Sequence, residues 1–323
     1  MERLTLHQLA NSPAFETAVQ ETQGIAQYCS GIDWGLAATR SFHPNQTPFI
    51  VRSDDSWIVL TQGTHSELGA ILQPLEAVWG FNSPLIGRDL GDLVHLLEHV
   101  LISNHTEWNA LCLSGLPKHF AQAVFDALEP RYRVLYRPGI RVNRALIHTG
   151  EDDYVSRRTQ AFRTNLRRDR RRVEASGIHF EHQIPTEGVE ELMNRLLAIE
   201  RLSRKREQGE SILKAPLFSA FYRALFERAS ERSALHVVFA QMEGQDLAYA
   251  IGGVLGVEYR GFQMSYNDDY RTLGIGNVTQ LAMMEQLHRR GIVRYDLGME
   301  MAYKERWGDE ILTLHTVLAF NTD

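Results

Sequence analysis

The stretch Tyr270-Arg271-Thr272-Leu273-Gly274-Ile275-Gly276 has the pattern Arg-x-x-Gly-x-Gly and separates two segments of different periodicity. The alternating, aromatic-rich pattern from Tyr259 to Tyr266 predicts a strand, and the apolar spacing from Val278 to His288 predicts a helix. A glycine turn between a strand and a helix N-terminus presents several backbone N–H groups at the positive end of the helix dipole. This arrangement is typical of a phosphate-binding loop. The alternative is a turn that starts a helix and contains two glycines for other reasons.

The length and composition are those of a globular chain with two domains. A chain of 323 residues with 44% hydrophobic and 23% charged residues predicts two domains of similar size. The polar run from His148 to Asp153 is the expected boundary, so we predict domains at 1–148 and 149–323. No segment is long and apolar enough to span a membrane, and no leader sequence is recognised, so a cytoplasmic location is expected. Cys29 and Cys112 are isolated, which indicates reduced thiols.

The charge distribution is uneven. The net charge of −6 argues against a general nucleic-acid binder, yet eight arginines and one acid, Asp169, occur between Arg157 and Arg172. Such a run is typical of a solvated helix face. The alternative is a helix that attracts a polyanion, to which Arg204-Lys205-Arg206 would add charge. Only four lysines occur, at positions 118, 205, 214 and 304.

The predicted order of elements after the boundary is helix, strand, helices, three-stranded meander, glycine turn, helix, strand, and a last helix with a strand. This order resembles that of the GNAT acyltransferase superfamily, whose phosphate loop [Gln/Arg]-x-x-Gly-x-[Gly/Ala] is matched by Arg271, Gly274 and Gly276. The resemblance implies an α/β (α+β) fold of two tandem GNAT-like domains. Each would be a twisted mixed, largely antiparallel sheet flanked by helices.

Further motifs narrow the resemblance. A strand ending in Asp296-Leu297-Gly298 is followed by Tyr303-Lys304 and Trp307-Gly308, and a basic helix lies upstream. This combination is similar to CelD-type cellulose-biosynthesis acyltransferases and to the related Fem-type aminoacyltransferases. The first domain is then a degenerate copy, since Leu85 to Gly91 lacks the spacing of a second phosphate loop. We expect one active site, in or facing the second domain.

The resemblance implies acetyl-CoA or another acyl-CoA as the donor substrate. No metal is expected, since no Cys or His pair shows the spacing of metal ligands. The pyrophosphate of the donor would be held by backbone N–H groups of the glycine turn and by one arginine. The predicted donor-binding residues are Arg271, Leu273, Gly274, Ile275, Gly276 and Asn277. The backbone of Phe262 to Ser265 is expected to pair with the pantetheine arm.

Acyl transfer also needs a base for the acceptor and stabilisation of the leaving thiolate and of the oxyanion. The predicted catalytic residues are Asp296 as a base, Tyr303 as a proton donor to the thiolate, and Lys304 as a partner of an anionic acceptor or of the oxyanion; Glu300 is a further candidate. Each has a structural alternative: Asp296 could cap a turn or pair with an arginine, Tyr303 could pack, and Lys304 could form a surface ion pair. Trp307 is expected to be a packing anchor, and the scattered histidines are interpreted as structural.

The leading functional hypothesis is transfer of an acyl group, acetyl above all, from acyl-CoA to an amine or hydroxyl of a small molecule, amino sugar or polysaccharide precursor. One alternative is a Fem-like transferase that uses aminoacyl-tRNA, although no long helical insert for tRNA is visible. The other is a non-catalytic ligand-binding module. Neither a membrane span nor a general nucleic-acid partner is expected.

Overall fold

The computed structural model describes residues 1–147, 154–204 and 215–321, and the predicted boundary run 148–153 lies outside these ranges. The contacts divide the chain into two compact units. The first comprises Met1–Val142 and Leu312–Asp323, and the second comprises Asn143–Ile311. The residues from Leu312 onward thus group with the first unit, not with the second as predicted, because the last strand pairs with a strand of the first.

Eleven helices and thirteen strands are described. The helices are α1 (Leu6–Ala10), α2 (Pro13–Glu21), α3 (Gln27–Ser30), α4 (Ile32–Phe42), α5 (Leu90–Ser103), α6 (Lys118–Leu128), α7 (Gln160–Ala175), α8 (Val189–Arg201), α9 (Pro216–Glu231), α10 (Ile275–Arg289) and α11 (Ala302–Glu305). The strands are β1 (Glu2–Leu4), β2 (Thr47–Ser53), β3 (Ser56–His65), β4 (Gly69–Pro74), β5 (Leu85–Ile86), β6 (Ala110–Leu116), β7 (Arg133–Leu146), β8 (His179–Gln183), β9 (Leu235–Met242), β10 (Gln245–Leu255), β11 (Glu258–Tyr266), β12 (Arg294–Met299) and β13 (Glu310–Phe320).

The first unit is a mixed sheet with the order β1-β2-β3-β4-β6-β13, and β5 pairs with β3. All of these pairs are antiparallel except β4 with β6. The apolar faces of α5 and α6 pack on this sheet, and Leu97 and Val124 are fully buried there. The side chain of Asp89 accepts a hydrogen bond from Asp92 N and so caps the N-terminus of α5.

The second unit is a mixed sheet with the order β12-β11-β10-β9-β8. The meander β8 to β11 is antiparallel, whereas β12 joins β11 in parallel. Leu166 and Val173 of α7 and Val278 and Leu287 of α10 are buried in the apolar clusters of this unit. The predicted fold class is therefore confirmed: each unit is a mixed, largely antiparallel sheet flanked by helices.

Two elements differ from what their local sequence favours. The basic run begins at Arg157, but α7 begins only at Gln160, and a 3-10 turn at Tyr154–Arg157 precedes it. The side chain of Thr159 caps α7 by accepting from Phe162 N, which starts a new helix at this point. Pro138-Gly139 is a sequence typical of a turn, yet strand β7 continues through it to Leu146. A Cβ at Gly139 would lie 2.6 Å from the Leu314 carbonyl oxygen, so glycine allows a close approach of two backbones there.

None of the described helices combines the length and the apolar character needed to cross a membrane. Within the described ranges, no group of three or more His, Cys, Asp or Glu side chains is arranged to hold a metal ion.

Two histidines that appear unrelated in the sequence lie together in the second unit. His182 Nε2 on β8 and His236 Nδ1 on β9 are 3.1 Å apart. Burial, reinforced by the charges of Arg290 and Arg289, lowers the pKa of His182 to about 4. Burial and the neighbouring His182 lower the pKa of His236 to about 4. Both rings are therefore neutral in the folded protein at neutral pH, which fits a structural role.

The histidine pair predicts a loss of stability in acid. In the unfolded chain these histidines bind protons as the pH falls below their ordinary pKa of 6.5, whereas in the folded protein they do so only near pH 4. Between these two values the unfolded chain binds more protons, so a lower pH favours unfolding. We expect urea denaturation at about pH 7 and about pH 4.5 to show a smaller loss of unfolding free energy in a His182→Gln/His236→Gln variant than in the unmodified protein. His179→Gln, which changes an exposed histidine of the same strand, is the control. Identical pH dependences in the double variant and the unmodified protein would contradict the interpretation.

Candidate functional site

A cleft with a volume of about 790 Å³ opens in the second unit between β11 and β12. The two strands pair in parallel at only three residue pairs, which end at Arg260 and Asp296. Beyond this point the strands separate, and Gly261 to Tyr266 line one wall of the cleft. That part of β11 keeps β10 on one side, while its other edge faces the cleft. An open strand edge can hydrogen-bond an extended, amide-bearing ligand.

A β-bulge lies where the strands separate. Ile251 of β10 pairs with Gln263, but the next residue, Gly252, pairs with Gly261, so Phe262 is the extra residue on β11. A bulge bends the strand and re-aims its backbone groups. The backbone of Phe262 to Ser265, predicted to pair with the donor, thus borders the cleft directly after this bend.

The predicted phosphate loop forms the end of the same wall. Gly274 ends a 3-10 turn, adopts a left-handed conformation with φ 77°, and is the N-cap of the 15-residue helix α10. The residues of the 3-10 turn and of the first turn of α10 divide into two groups. Arg271, Gly274, Gly276 and Asn277 line the cleft, whereas the side chains of Leu273 and Ile275 pack into the core. Because only the backbone N–H groups of 273 and 275 were predicted to act, this division is compatible with an anion site at the helix N-terminus.

The glycines have structural reasons that the sequence did not reveal. A Cβ at Gly274 would lie 2.5 Å from Cγ and Oδ2 of Asp169, the buried acid of the basic helix. A Cβ at Gly276 would lie 2.9 Å from the ring of Tyr266 at the end of β11. The two positions therefore need glycine because protein atoms occupy the side-chain space, in addition to the positive φ at Gly274. Close packing against Asp169 and Tyr266 fixes the shape of the loop.

Asp296 lies on the other face of β12 from the cleft. Its neighbours Tyr295 and Leu297 line the cleft, whereas Asp296 is fully buried and does not. Its Oδ1 accepts hydrogen bonds from Arg260 Nη1 at 2.6 Å and from Gly298 N at 2.8 Å. The structure therefore places Asp296 in the ion pair and turn cap that were its structural alternative.

The short parallel pairing of β11 with β12 is stabilised by ion pairs on one face and by aromatic packing on the other. Glu258 pairs in register with Arg294, and its carboxylate lies 3.3 Å from the Arg294 guanidinium. Burial raises the pKa of Glu258 despite this contact. On the cleft face, the rings of Tyr259 and Tyr295 meet edge to face at 4.6 Å. These cross-strand pairs, with Arg260 and Asp296, hold the strands together immediately before they separate.

Tyr303 and Lys304, on α11 after β12, also line the cleft. Although Tyr303 is 42% exposed, burial of its phenol raises the pKa above the ordinary value. The phenol is thus protonated at neutral pH and able to donate a proton. Lys304 Nζ donates to the Met299 carbonyl at 3.0 Å. Glu300 is not among the lining residues.

Residues at the start of the basic segment contact the chain directly after α11. Arg158 is buried and donates from Nη1 to the Gly308 carbonyl at 2.9 Å, and it forms an ion pair with Asp309. Tyr154 Oη donates to the carbonyl of Trp307 and stacks parallel to its indole. Trp307 is only 2% exposed, which confirms it as a packing anchor. This part of the basic segment is internal, whereas the later arginines are exposed.

The exposed arginines of α7 are Arg167, Arg168, Arg170, Arg171 and Arg172. Arg168 pairs with Asp169, and Arg170 pairs with Glu174 and Glu285. The solvated face expected of a charge run is therefore present on α7. Of the other basic residues in the sequence, Arg204 lines the cleft, while Lys205, Arg206 and Lys214 lie outside the described residues.

Several residues of the site were missed by sequence reasoning. Two of them are Arg260, the partner of Asp296, and Arg294, the partner of Glu258. Both pairs follow from the register of β11 against β12, because paired residues on neighbouring strands point to the same face. Arg306, whose Nε donates to the Tyr303 carbonyl at 3.2 Å, also lines the cleft and carried no motif.

Comparison with protein families agrees with this geometry. Residues 160–305 match the family model described as "Acetyltransferase (GNAT) domain". The match begins at the first residue of α7 and ends at the last residue of α11, and it covers somewhat less than half of the chain. This segment is therefore similar to GNAT acetyltransferase domains. A search of curated protein sequences finds no match.

Solved structures show the same fold over the whole chain. FemX has a TM-score of 0.69 at 11% identity, covering 98% of this chain and 97% of that one. A conserved protein of unknown function from Bacteroides thetaiotaomicron VPI-5482 has a TM-score of 0.65 at 10% identity, covering 98% of both chains. L-PGS from Bacillus licheniformis has a TM-score of 0.57 at 13% identity, covering 98% and 93%. These similarities define the fold alone; they include the Fem-type resemblance but do not single out CelD-type enzymes.

Proposed function

We propose that this protein transfers an acyl group from acyl-CoA to an amine or hydroxyl of a small molecule, an amino sugar or a polysaccharide precursor. The observation that carries the proposal is the continuity of one wall of the cleft. The open edge of β11 after the bulge runs into the N-terminus of α10 at Gly274. A strand edge suits the amides of a pantetheine arm, and a helix N-terminus suits its pyrophosphate.

In this proposal the residues of the cleft have distinct roles. The N–H groups from Leu273 to Asn277 and the guanidinium of Arg271 bind the pyrophosphate. Tyr303 protonates the departing thiolate, since its raised pKa keeps the proton available at neutral pH. Lys304 balances negative charge that develops in the cleft. Asp296 acts by holding Arg260 and the turn at Gly298, which positions the start of the cleft.

Isothermal titration with acetyl-CoA tests donor binding. We expect saturable 1:1 binding with a dissociation constant within the range of about 1 µM to 1 mM that enzymes show for substrates. Longer acyl-CoAs, titrated in parallel, report the acyl length. If none of the acyl-CoAs binds, the proposal fails.

The cleft also predicts an unusual pH dependence. The described lining residues include neither a carboxylate nor an imidazole, so we propose that none of these residues deprotonates an amine acceptor. We expect kcat/KM to rise with pH as the acceptor itself loses its proton, and the rise to move when a more acidic amine is used. Because the pKa of Tyr303 is raised, no fall is expected below about pH 10. Thiol release from acetyl-CoA with two amines of different pKa measures this. A rise at one fixed pH for both amines would instead indicate a base on the enzyme.

The second candidate is a Fem-like transferase that uses aminoacyl-tRNA. The whole-chain similarity to FemX and the exposed arginines of α7 favour it. Against it, the longest described helices have 16 residues, so the described ranges contain no long helical arm. Filter binding with charged and uncharged tRNA separates the two donors. Tight binding of charged tRNA without binding of acyl-CoA would favour the Fem-like function.

The third candidate is a ligand-binding module without catalysis. It would gain support if Lys304→Ala and Tyr303→Phe left the rate of turnover the same as in the unmodified protein. An acyltransferase should lose about 10²-fold or more in kcat when a proton donor is removed.

A further inference from the structure

One buried amide of the cleft has a nitrogen without a hydrogen-bond partner. Gln280, on α10, lines the cleft and is only 6% exposed. Its Oε1 accepts a hydrogen bond from Tyr295 Oη at 3.4 Å, whereas its Nε2 has no partner within the described ranges. A buried donor that is left unpaired destabilises a folded protein. Such a donor at the wall of a cleft is suited to bind an oxygen of a ligand.

The amide lies at the end of the cleft where β11 and β12 begin to separate. Tyr295 pairs in register with Tyr259, and its ring covers Gly261 on the same strand. A Cβ at Gly261 would lie 2.9 Å from Tyr295 Oη, the same hydroxyl that reaches Gln280. The amide of Gln280 is therefore close to Gly261 and to the bulge at Phe262.

This position fits the thioester end of the proposed donor. At 1.5 Å per residue, Gln280 lies about 9 Å along α10 from its N-cap, Gly274. Gly276 and Gln280 are four residues apart and both line the cleft, so they share one face of the helix. A donor whose pyrophosphate is bound at the helix N-terminus extends its pantetheine arm along the edge of β11 toward the bulge. The arm ends in the thioester, whose carbonyl then lies next to the amide.

We infer that Gln280 is a catalytic residue whose Nε2 donates a hydrogen bond to the carbonyl oxygen of the thioester. This inference rests on the proposed acyl transfer and deepens it by adding a donor for the oxyanion. Nε2 is covered by neighbouring side chains in the structure, so the amide turns about its terminal torsion to reach the oxygen. That torsion is soft, and the 3.4 Å contact with Tyr295 holds the amide only weakly.

The hydrogen bond matters most when charge develops on the oxygen. The acceptor, after losing its proton to solvent, forms a bond to the carbonyl carbon, and the π electron pair of the carbonyl moves to oxygen. When that pair returns, the carbon–sulfur bond breaks and the thiolate takes a proton from Tyr303, which solvent restores. Nε2 stabilises the oxyanion between these two steps, and loss of such a donor typically lowers kcat by about 10²–10³-fold.

The direct test compares two ligands that differ in this carbonyl. Acetyl-CoA carries it, and the thioether S-ethyl-CoA, which is of nearly the same size, lacks it. We expect calorimetry to show that the preference for acetyl-CoA over S-ethyl-CoA falls at least about 3-fold in Gln280→Met. This change nearly conserves volume, so the variant should fold. Gln286→Met, on the same helix but outside the lining residues, should keep the preference. Affinity for CoA itself should change less than about 2-fold in both variants.

The infrared carbonyl stretch of acetyl-CoA, labelled with carbon-13 at the thioester, provides a second readout. The bound carbonyl should absorb at a lower frequency in the unmodified protein and in Gln286→Met than in Gln280→Met, because a hydrogen bond weakens the C=O bond. The inference is overturned if Gln280→Met keeps either the ligand preference or the carbonyl frequency. It is also overturned if CoA, S-ethyl-CoA and acetyl-CoA lose affinity equally, since Nε2 would then hold the pantetheine arm. A protein that binds none of these compounds refutes the proposed function, which is a different result.

Discussion

Replacing Gly274 by alanine is expected to weaken acetyl-CoA binding by about 10-fold or more, the largest effect on donor affinity that a single methyl group should cause. Two causes combine. The backbone at Gly274 has φ 77°, which costs an L-residue about 1–2 kcal/mol. In addition, the new Cβ would lie 2.5 Å from the carboxylate of Asp169, so the loop or α7 must move. Calorimetric titration measures the change.

Gly244 serves as a control that separates the effect of backbone strain from the effect of the position of Gly274 in the cleft. Gly244, in the turn between β9 and β10, has the same φ of 77°, but a Cβ there meets nothing within 4 Å. Gly244→Ala should lose about 1 kcal/mol of unfolding free energy and bind acetyl-CoA normally. Adding Asp169→Ala to Gly274→Ala should recover part of the donor affinity, because it removes the contact. Equal donor affinities for Gly274→Ala and Gly244→Ala would contradict the assignment of the loop.

Replacing Asp296 by alanine is expected to cost about 3–5 kcal/mol of unfolding free energy, the largest stability effect in the second unit. The change leaves the buried guanidinium of Arg260 without its carboxylate and removes the acceptor of Gly298 N–H. Both groups lie where β11 and β12 separate. Urea denaturation measures the loss. Glu174→Gln, which breaks the exposed pair with Arg170, is the control and should cost less than about 0.5 kcal/mol.

The same position distinguishes a positioning residue from a general base. Asp296→Asn keeps the shape of the side chain and should retain kcat within about 10-fold once folded protein is measured. A general base would instead lose about 10²-fold or more in kcat with little change in stability. That second pattern would restore Asp296 to the role that the sequence analysis gave it.

The sequence predicted the second unit well because its elements are strongly periodic. β11, α10 and β12 begin and end within a few residues of the predicted bounds, and the glycine turn lies between them as expected. The helices α1 to α4 were not foreseen. They are short or of mixed pattern, and tertiary packing rather than local preference determines them.

The sequence predicted which residues lie near one another in the candidate site, but not how their side chains are arranged. Arg271, Gly274, Tyr303 and Lys304 do line one cleft, as their order in the motifs indicated. The face on which Asp296 lies depends on the register of β12 against β11, and a shift of one residue would have reversed it. The contact between Gly274 and Asp169 joins residues 105 positions apart, which local pattern cannot reveal.

Amide hydrogen exchange with and without CoA tests the central claim most directly, because it reports both binding and location. We expect CoA to protect two segments of the second unit, the strand edge Gln263 to Ser265 and the loop Gly274 to Asn277. Gly274→Ala should reduce this protection, and Gly244→Ala should not. Binding of CoA with no added protection in either segment would contradict the account.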